Sequence, residues 1–278
     1  MLTLYHDTTF QCSRLITQAY STSFTLGIKA LDSKLHDAIY GIYAFVRYAD
    51  EIVDTFHDYD KATLLQEFKA DTYTAIERGI STNPVIHAYQ IIVNQYYIEK
   101  ELIEAFFNSM EMDLNQSDYT SIDYNHYIYG SAEVVGLMCL RVFCEGNEIQ
   151  YNQLKDSAQR LGSAFQKVNF LRDMRNDFQN LGRVYFPNVD FTNFQVSAKK
   201  SIEADIEADF EAAYKGILAL PKSARFGVYL AYRYYKALFV KIKNTPPEVI
   251  KQERLRIPNP TKAFILFKSA LRNYANAM

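Results

Sequence analysis

Apolar residues return at steps of three and four along most of the chain. Ile39, Ile42, Tyr43, Val46, Ile52 and Val53 form one such series; Leu161, Phe165, Val168 and Leu171 form another; Tyr229, Tyr232, Tyr235, Phe239 and Ile242 form a third. This spacing keeps one face of a helix apolar. Strand-like alternation of period two, bounded by turns, is hard to find, and no proline occurs between Pro84 and Pro187. The pattern predicts an all-α chain with helices near 11–19, 34–56, 61–78, 83–95, 99–114, 121–144, 150–178, 200–218, 222–243 and 261–277. Turn residues cluster at 78–84, 144–149, 180–194 and 244–260. None of these stretches is long or polar enough to separate domains, and no fixed-period repeat is visible. The expectation is a single domain over 1–278.

Two of the predicted helices carry acids among apolar neighbours. In RYADEIVDTF (47–56), Asp50 and Asp54 stand four residues apart and share a face with Arg47 and Tyr43 upstream. In NFLRDMRNDF (169–178), steps of four link Asn169, Asp173 and Asp177, with Gln166 one turn earlier and Arg172 alongside. A single pair reads most simply as a solvated helix face, whose ion pairs contribute about 0.2–0.5 kcal/mol. Two copies on strongly apolar helices, each beside an arginine, change the reading. Buried acids repel and are desolvated, so a fold keeps them where a cation neutralises them. Carboxylates without His or Cys suit a hard ion, Mg²⁺ or Mn²⁺, better than Zn²⁺. Because Mg²⁺ takes few protein carboxylates and fills its shell with water and phosphate oxygens, two acid pairs with arginines describe a diphosphate site between helices. There is no Gly-rich phosphate loop and no G-x-G, which removes support for a nucleotide.

Composition narrows the partners. The 278 residues are 49% hydrophobic and 22% charged with a net charge of -2, an ordinary globular balance without the basic field that attracts nucleic acid. Twenty-two Tyr and 19 Phe against no Trp would furnish a long, greasy cavity. Cys12, Cys139 and Cys144 lack metal-ligand spacing and read as reduced thiols of a cytosolic protein. His6, His36, His57, His87 and His126 show no ligand spacing either. The N-terminus lacks a basic segment followed by an apolar run, so no secretory signal is expected. The most apolar stretches, 134–144 and 226–242, are broken by Arg141, Arg233 and Lys236, and no span of about 20 apolar residues is expected. The expected location is cytoplasmic, with peripheral attachment to the inner face of the membrane as a second option. KIK (241–243) and KQERLR (251–256) make a modest basic cluster, read first as solvated surface and second as a contact with anionic lipid or an approach path for diphosphate.

Four stretches together resemble the squalene/phytoene synthase family, the head-to-head trans-isoprenyl diphosphate synthases, and within it the bacterial phytoene synthases. They are YSTSF (20–24), YAFVRYADEIVD (43–54), YIYGSAEVVG (127–136) and QKVNFLRDMRNDFQNLGRVYFP (166–187). The resemblance implies an isoprenoid synthase fold, a single helical bundle around a central cavity. It implies two prenyl diphosphates held through Mg²⁺ by Asp50, Asp54, Asp173 and Asp177, with Asn169 counted among the metal ligands. Ser21, Ser23, Arg47, Arg172 and Arg254 would hold diphosphate oxygens, Gln166 and Asn169 would line the second substrate site, and Tyr43, Tyr127, Tyr129 and Tyr235 would lie near carbocations. The implied reaction condenses two geranylgeranyl diphosphates to phytoene through a cyclopropyl (prephytoene) diphosphate, the first step toward carotenoids. It needs Mg²⁺ and no NADPH, and the membrane surface would serve as product sink. The alternatives are dehydrosqualene or squalene from farnesyl diphosphate, squalene requiring NADPH, and a catalytically dead scaffold relative. Against the last stand all four aspartates and both arginines. One departure is Ser131-Ala132-Glu133 where the family usually has Val-Ala-Gly. Glu133 is expected either to pair with a lysine or arginine at the core edge or to tune product release from the cavity.

Overall fold

A computed structural model describes residues 1–115, 119–187, 189–190 and 193–275. The helices run α1 (Leu2–Tyr20), α2 (Thr22–Lys29), a 3₁₀ turn (Ser33–Leu35), α3 (His36–Asp54), α4 (Lys61–Arg78), α5 (Pro84–Tyr96), α6 (Lys100–Asn115) and α7 (Ser121–Ile128). A π-helical segment (Tyr129–Glu133) leads into α8 (Val134–Cys144), then α9 (Glu148–Asn180), α10 (Val196–Ala219), α11 (Lys222–Lys243), α12 (Pro247–Ile250) and α13 (Asn259–Tyr274). No strand occurs among the described residues, as the period of the apolar residues requires.

Most helix ends follow their local chemistry. Asn83 caps α5 by accepting from the amides of Val85 and Ile86, with Pro84 at the first position. Thr120 and Asp123 form a reciprocal capping box at α7. Gly79, with φ at 73°, ends α4 in the left-handed conformation.

Three departures from the expected elements have physical causes. Helix α1 begins at Leu2, nine residues earlier than the apolar pattern suggests, because its buried face is Thr9, Ser13 and Thr17. Those hydroxyls are satisfied within the helix, Ser13 donating to the Thr9 carbonyl at 3.2 Å and Thr17 to Ser13 at 2.9 Å. Small side chains so paired let α1 pack closely on α3, yet they leave no hydrophobic period. Helix α2 is a second element missed. The single helix expected over 121–144 is divided by the π segment, where a Cβ on Gly130 would sit 2.3 Å from the Ala105 carbonyl of α6. Counted as one run, Ser121–Cys144 is long and apolar enough to cross a membrane, contrary to the reading of 134–144 alone. In this fold 56% of its 18-residue apolar window is buried inside the chain, with Leu137, Met138 and Val142 in the core.

Helix α9, 33 residues and roughly 50 Å long, packs against α8, α10, α11 and the π segment. One apolar cluster centres on Phe45 of α3, stacked on Tyr89 of α5 at 3.7 Å, with Phe106 and Phe107 of α6. A second gathers Tyr127, Phe170, Tyr185 and Phe186. Residues of α2, α3, α8, α9, α10 and α11 enclose a cavity of about 830 Å³.

Candidate active site

The acids stand at one end of this cavity because α3 and α9 both finish there. Asp50 and Asp54 occupy the last two turns of α3, and Asp173 and Asp177 the last turns of α9. Helix C-termini are electronegative, so these positions penalise carboxylates further. All four line the cavity together with a fifth, Asp113 of α6, which sequence reading did not single out. Asp50 keeps 33% of its side chain accessible, but it opens onto the cavity rather than the outer surface. Burial, and then Asp54, push its carboxyl up to about 8; Arg47, 3.9 Å away, opposes this only weakly. Asp177 is also pushed up to about 8, by burial and then by Asp173 and Asp54. That Asp54 of α3 acts on Asp177 of α9 puts the two pairs face to face.

The other member of each pair is compensated. Asp54 is bound by Arg183 at 2.7 Å, a guanidinium only 5% exposed. The same Arg183 side chain reaches Asp113 at 3.3 Å and donates to the Asp113 carbonyl at 2.9 Å, while its backbone amide donates to the Asp177 carbonyl at 2.8 Å. One residue thus ties both acid motifs together. Gly182, with φ at 67°, reverses the chain just before it. Burial raises Asp113 to about 6 against the opposing charge of Arg183. Its oxygens accept from the hydroxyls of Tyr127 (2.7 Å), Tyr185 (3.1 Å) and Tyr119 (3.2 Å). Across the mouth, Asp173 is bracketed by Arg172 at 2.5 Å and by Arg254 at 2.6 Å, the latter 51% exposed on the segment before α13.

Arg47 bonds to Glu51 and lies over the Tyr20 ring at 4.6 Å. Its Nε is buried without a hydrogen-bond partner among the described residues. Lys262 and Arg256 also line the mouth, and burial together with Arg256 lowers Lys262 below the ordinary lysine range. Lys262 was not expected from the sequence, whereas Arg256 belongs to the KQERLR cluster whose second reading is an approach path for diphosphate. Ser21 and Ser23 reach the cavity, Ser21 while capping α2 through the Phe24 amide at 3.2 Å.

A directional hydrogen-bond relay crosses the wall. The Tyr235 hydroxyl donates to Asn169 (3.2 Å), Asn169 to Gln166 (3.3 Å), Gln166 to the Ser131 hydroxyl (3.1 Å), and Ser131 to the Tyr127 carbonyl (2.7 Å). Ser131, the departure noted in the sequence, is therefore the anchor for Gln166. Tyr235 stacks on Phe165 at 3.8 Å, and Tyr43, raised to about 12 by burial, lies 5.4 Å from the Phe24 ring.

Two expectations need correcting. Tyr129 does not line the cavity: the π segment turns it outward, 36% exposed. Glu133 neither pairs with a basic residue nor lines the cavity; it accepts from Gln159 at 3.1 Å and from Ser163, both on α9. Tyr127 is buried with its hydroxyl committed to Asp113.

Among the described residues no three His, Cys, Asp or Glu side chains converge on one point. The donor set nevertheless fits hard cations that take one or two carboxylates each and draw the rest of their shell from water and phosphate. Two carboxyls pushed to about 8 in one cavity, by burial first and by neighbouring carboxylates second, are groups whose ionisation a bound cation would favour.

The family model for squalene/phytoene synthase matches residues 17–261. A phytoene synthase of Arthrospira platensis is 25% identical, covering 95% of this chain and 93% of its own length. A presqualene diphosphate synthase of Sinorhizobium fredii is 30% identical over 67% of this chain and 66% of its own. The crystal structure of a dehydrosqualene synthase in complex with ligand superposes with a TM-score of 0.81 at 19% identity, covering 98% of both chains. With the match running from the end of α1 to the start of α13 and enclosing both acid motifs, the chain belongs to the squalene/phytoene synthase family.

Proposed function

We propose that this protein joins two allylic prenyl diphosphates head to head, and that its substrate is geranylgeranyl diphosphate and its product phytoene. One observation carries the reading: two half-compensated acid pairs face each other, ringed by Arg47, Arg172 and Arg254, over an apolar cavity. Bound Mg²⁺, held by Asp50 and Asp54 on one side and Asp173 and Asp177 with Asn169 on the other, would neutralise those acids and the diphosphate oxygens together. The arginines hold the first diphosphate as its bond to C1 breaks, and the leaving group carries the bonding electrons away. The allylic cation is taken up by the double bond of the second substrate, which closes a cyclopropane with loss of a proton. Loss of the second diphosphate, rearrangement and a second proton loss then give the hydrocarbon. Tyr43, Tyr235 and Phe165 present ring faces and hydroxyls to this cavity, and its apolar walls keep water from the cation.

The C20 assignment draws support from the phytoene synthases among relatives matched over most of their length. It is tested by supplying geranylgeranyl or farnesyl diphosphate with Mg²⁺, with and without NADPH, and identifying the product. Phytoene from the C20 substrate without NADPH is expected. Product from farnesyl diphosphate alone would overturn the chain length and leave the site standing. Hydrocarbon only with NADPH would favour squalene, and full turnover in excess EDTA would remove the metal from the reading.

A further inference from the structure

Helix α13 buries Ile265 and Ser269 against the protein, packing on α11. Its opposite face carries Phe264, Phe267, Leu271 and Tyr274 at steps of three, four and three, each between 54% and 91% exposed. Such spacing aligns them in one stripe, and a continuous exposed stripe of large apolar side chains marks a surface that something covers. Lys268 borders it on the same helix, and Lys241, exposed at the C-terminal end of α11 beyond the start of α13, donates to the Arg256 carbonyl at 2.9 Å.

Charge identifies the occupant. From Arg233 onward the chain has ten Lys and Arg against two acids, whereas the first 232 residues have 20 against 30. A basic C-terminal segment on an otherwise acidic protein complements an anionic surface and would be repelled by little on one. The helix also starts at the cavity: Arg256, Asn259 and Lys262, immediately before and within its first turn, line the mouth. The helix that carries the apolar stripe therefore begins among residues that line the cavity.

We propose that α13 is an interfacial membrane helix, laying Phe264, Phe267, Leu271 and Tyr274 into the headgroup boundary of an anionic bilayer with Lys268 and Lys241 at the lipid phosphates. This rests on the proposed function only in supplying a reason for the contact: prenyl chains enter and a water-insoluble product leaves where the cavity meets the lipid. A second copy of this chain would present the same positive charge to itself, so a protein contact through this face is the less favourable occupant.

The chain has no Trp, so Phe267→Trp gives a single fluorescent reporter. Tyr97→Trp, at the far end of α6 from Asp113 and equally open to solvent, is the control. Both are titrated, without substrate, with vesicles of phosphatidylcholine alone or mixed with phosphatidylglycerol. The expected result is a blue shift at position 267 with the anionic vesicles, weakened by salt, and none at position 97. Phe264→Ser with Leu271→Ser should weaken vesicle binding at least about tenfold. The same variant should turn over substrate presented in detergent micelles at the unaltered rate. No shift with either vesicle, an equal shift at position 97, or unchanged binding of the serine variant would overturn the proposal. So would a dimer that the serine substitutions split while vesicle affinity stays the same, since the face would then be a protein contact. Failure of the prenyltransfer reading would leave the vesicle measurements untouched.

Discussion

The two acid pairs look alike in sequence and differ in how they are held. On α3, the compensated member Asp54 is gripped by Arg183, which is 5% exposed and tied to α6 as well. On α9, the compensated member Asp173 is held by its neighbour Arg172, 21% exposed, and in addition by Arg254, which is half exposed on the segment before α13. A buried arginine with several bonds is part of the framework, whereas an exposed one on a connecting segment can let go at little cost. The α3 side is therefore held from within, and the α9 side adds an exposed latch that the proposed diphosphate would take over. In each pair the remaining acid, Asp50 or Asp177, has no comparable grip and holds its proton to about pH 8.

The sharpest way to break this contrast is to remove each arginine. Arg183→Ala leaves the buried Asp113, and the half-buried Asp54, without their cation and should cost about 3–5 kcal/mol in urea denaturation. Arg254→Ala should change stability by less than about 1 kcal/mol while weakening binding of a non-reactive diphosphate analogue in calorimetry. Equal stability losses would mean that both sides are framework. Next in size, Asp50→Ala or Asp173→Ala should lower turnover at least about a hundredfold with the fold intact by circular dichroism. Near-normal rates in either variant would return that motif to an ordinary helix face.

The uncompensated acids give a smaller, signed effect. An aspartate in the unfolded chain ionises near about pH 4, whereas Asp50 and Asp177 in the folded protein stay protonated to about pH 8. The folded state then binds more protons across that window, so these groups reduce stability as pH rises through it and add no further change above it. Asp177→Asn should flatten this fall in the chelated protein and leave its melting temperature at pH 8 unchanged or higher. It should also abolish the stabilisation given by Mg²⁺ with the analogue. A lower melting temperature with ligand stabilisation intact would show that Asp177 serves the fold. The least effect is expected at Tyr129→Phe, which should leave turnover and stability within measurement error, while Tyr127→Phe frees one oxygen of Asp113 and should cost about 1 kcal/mol.

What the sequence disclosed and what it hid divide along the same line as local and tertiary physics. Helices with an apolar face, such as α11, are legible almost to the residue. Helix α1 is not, because its buried stripe of Thr and Ser carries no hydrophobic period. The aspartate pairs are visible because the helix itself sets their spacing. Asp113 and Arg183 are silent because they lie 70 residues apart in sequence and meet only when the loop after α9 folds back onto α6. Tyr129 fails for a narrower reason: its place by the cavity was implied by the resemblance alone, and the π segment that begins at this residue leaves its side chain 36% exposed.

The relay from Tyr235 to the Tyr127 carbonyl has a polarity. Every hydrogen in it points along the wall toward α7, beginning with the Tyr235 hydroxyl, whose proton is already given to Asn169. What Tyr235 has left to offer the cavity is lone pairs and a ring face. Such a surface welcomes positive charge and repels negative charge, while the arginines at the mouth do the opposite. Arg172 shares a hydrogen bond with the Tyr235 oxygen, so under the proposed reaction the leaving anion and the cation would part between neighbouring groups of one wall, the guanidinium and the ring.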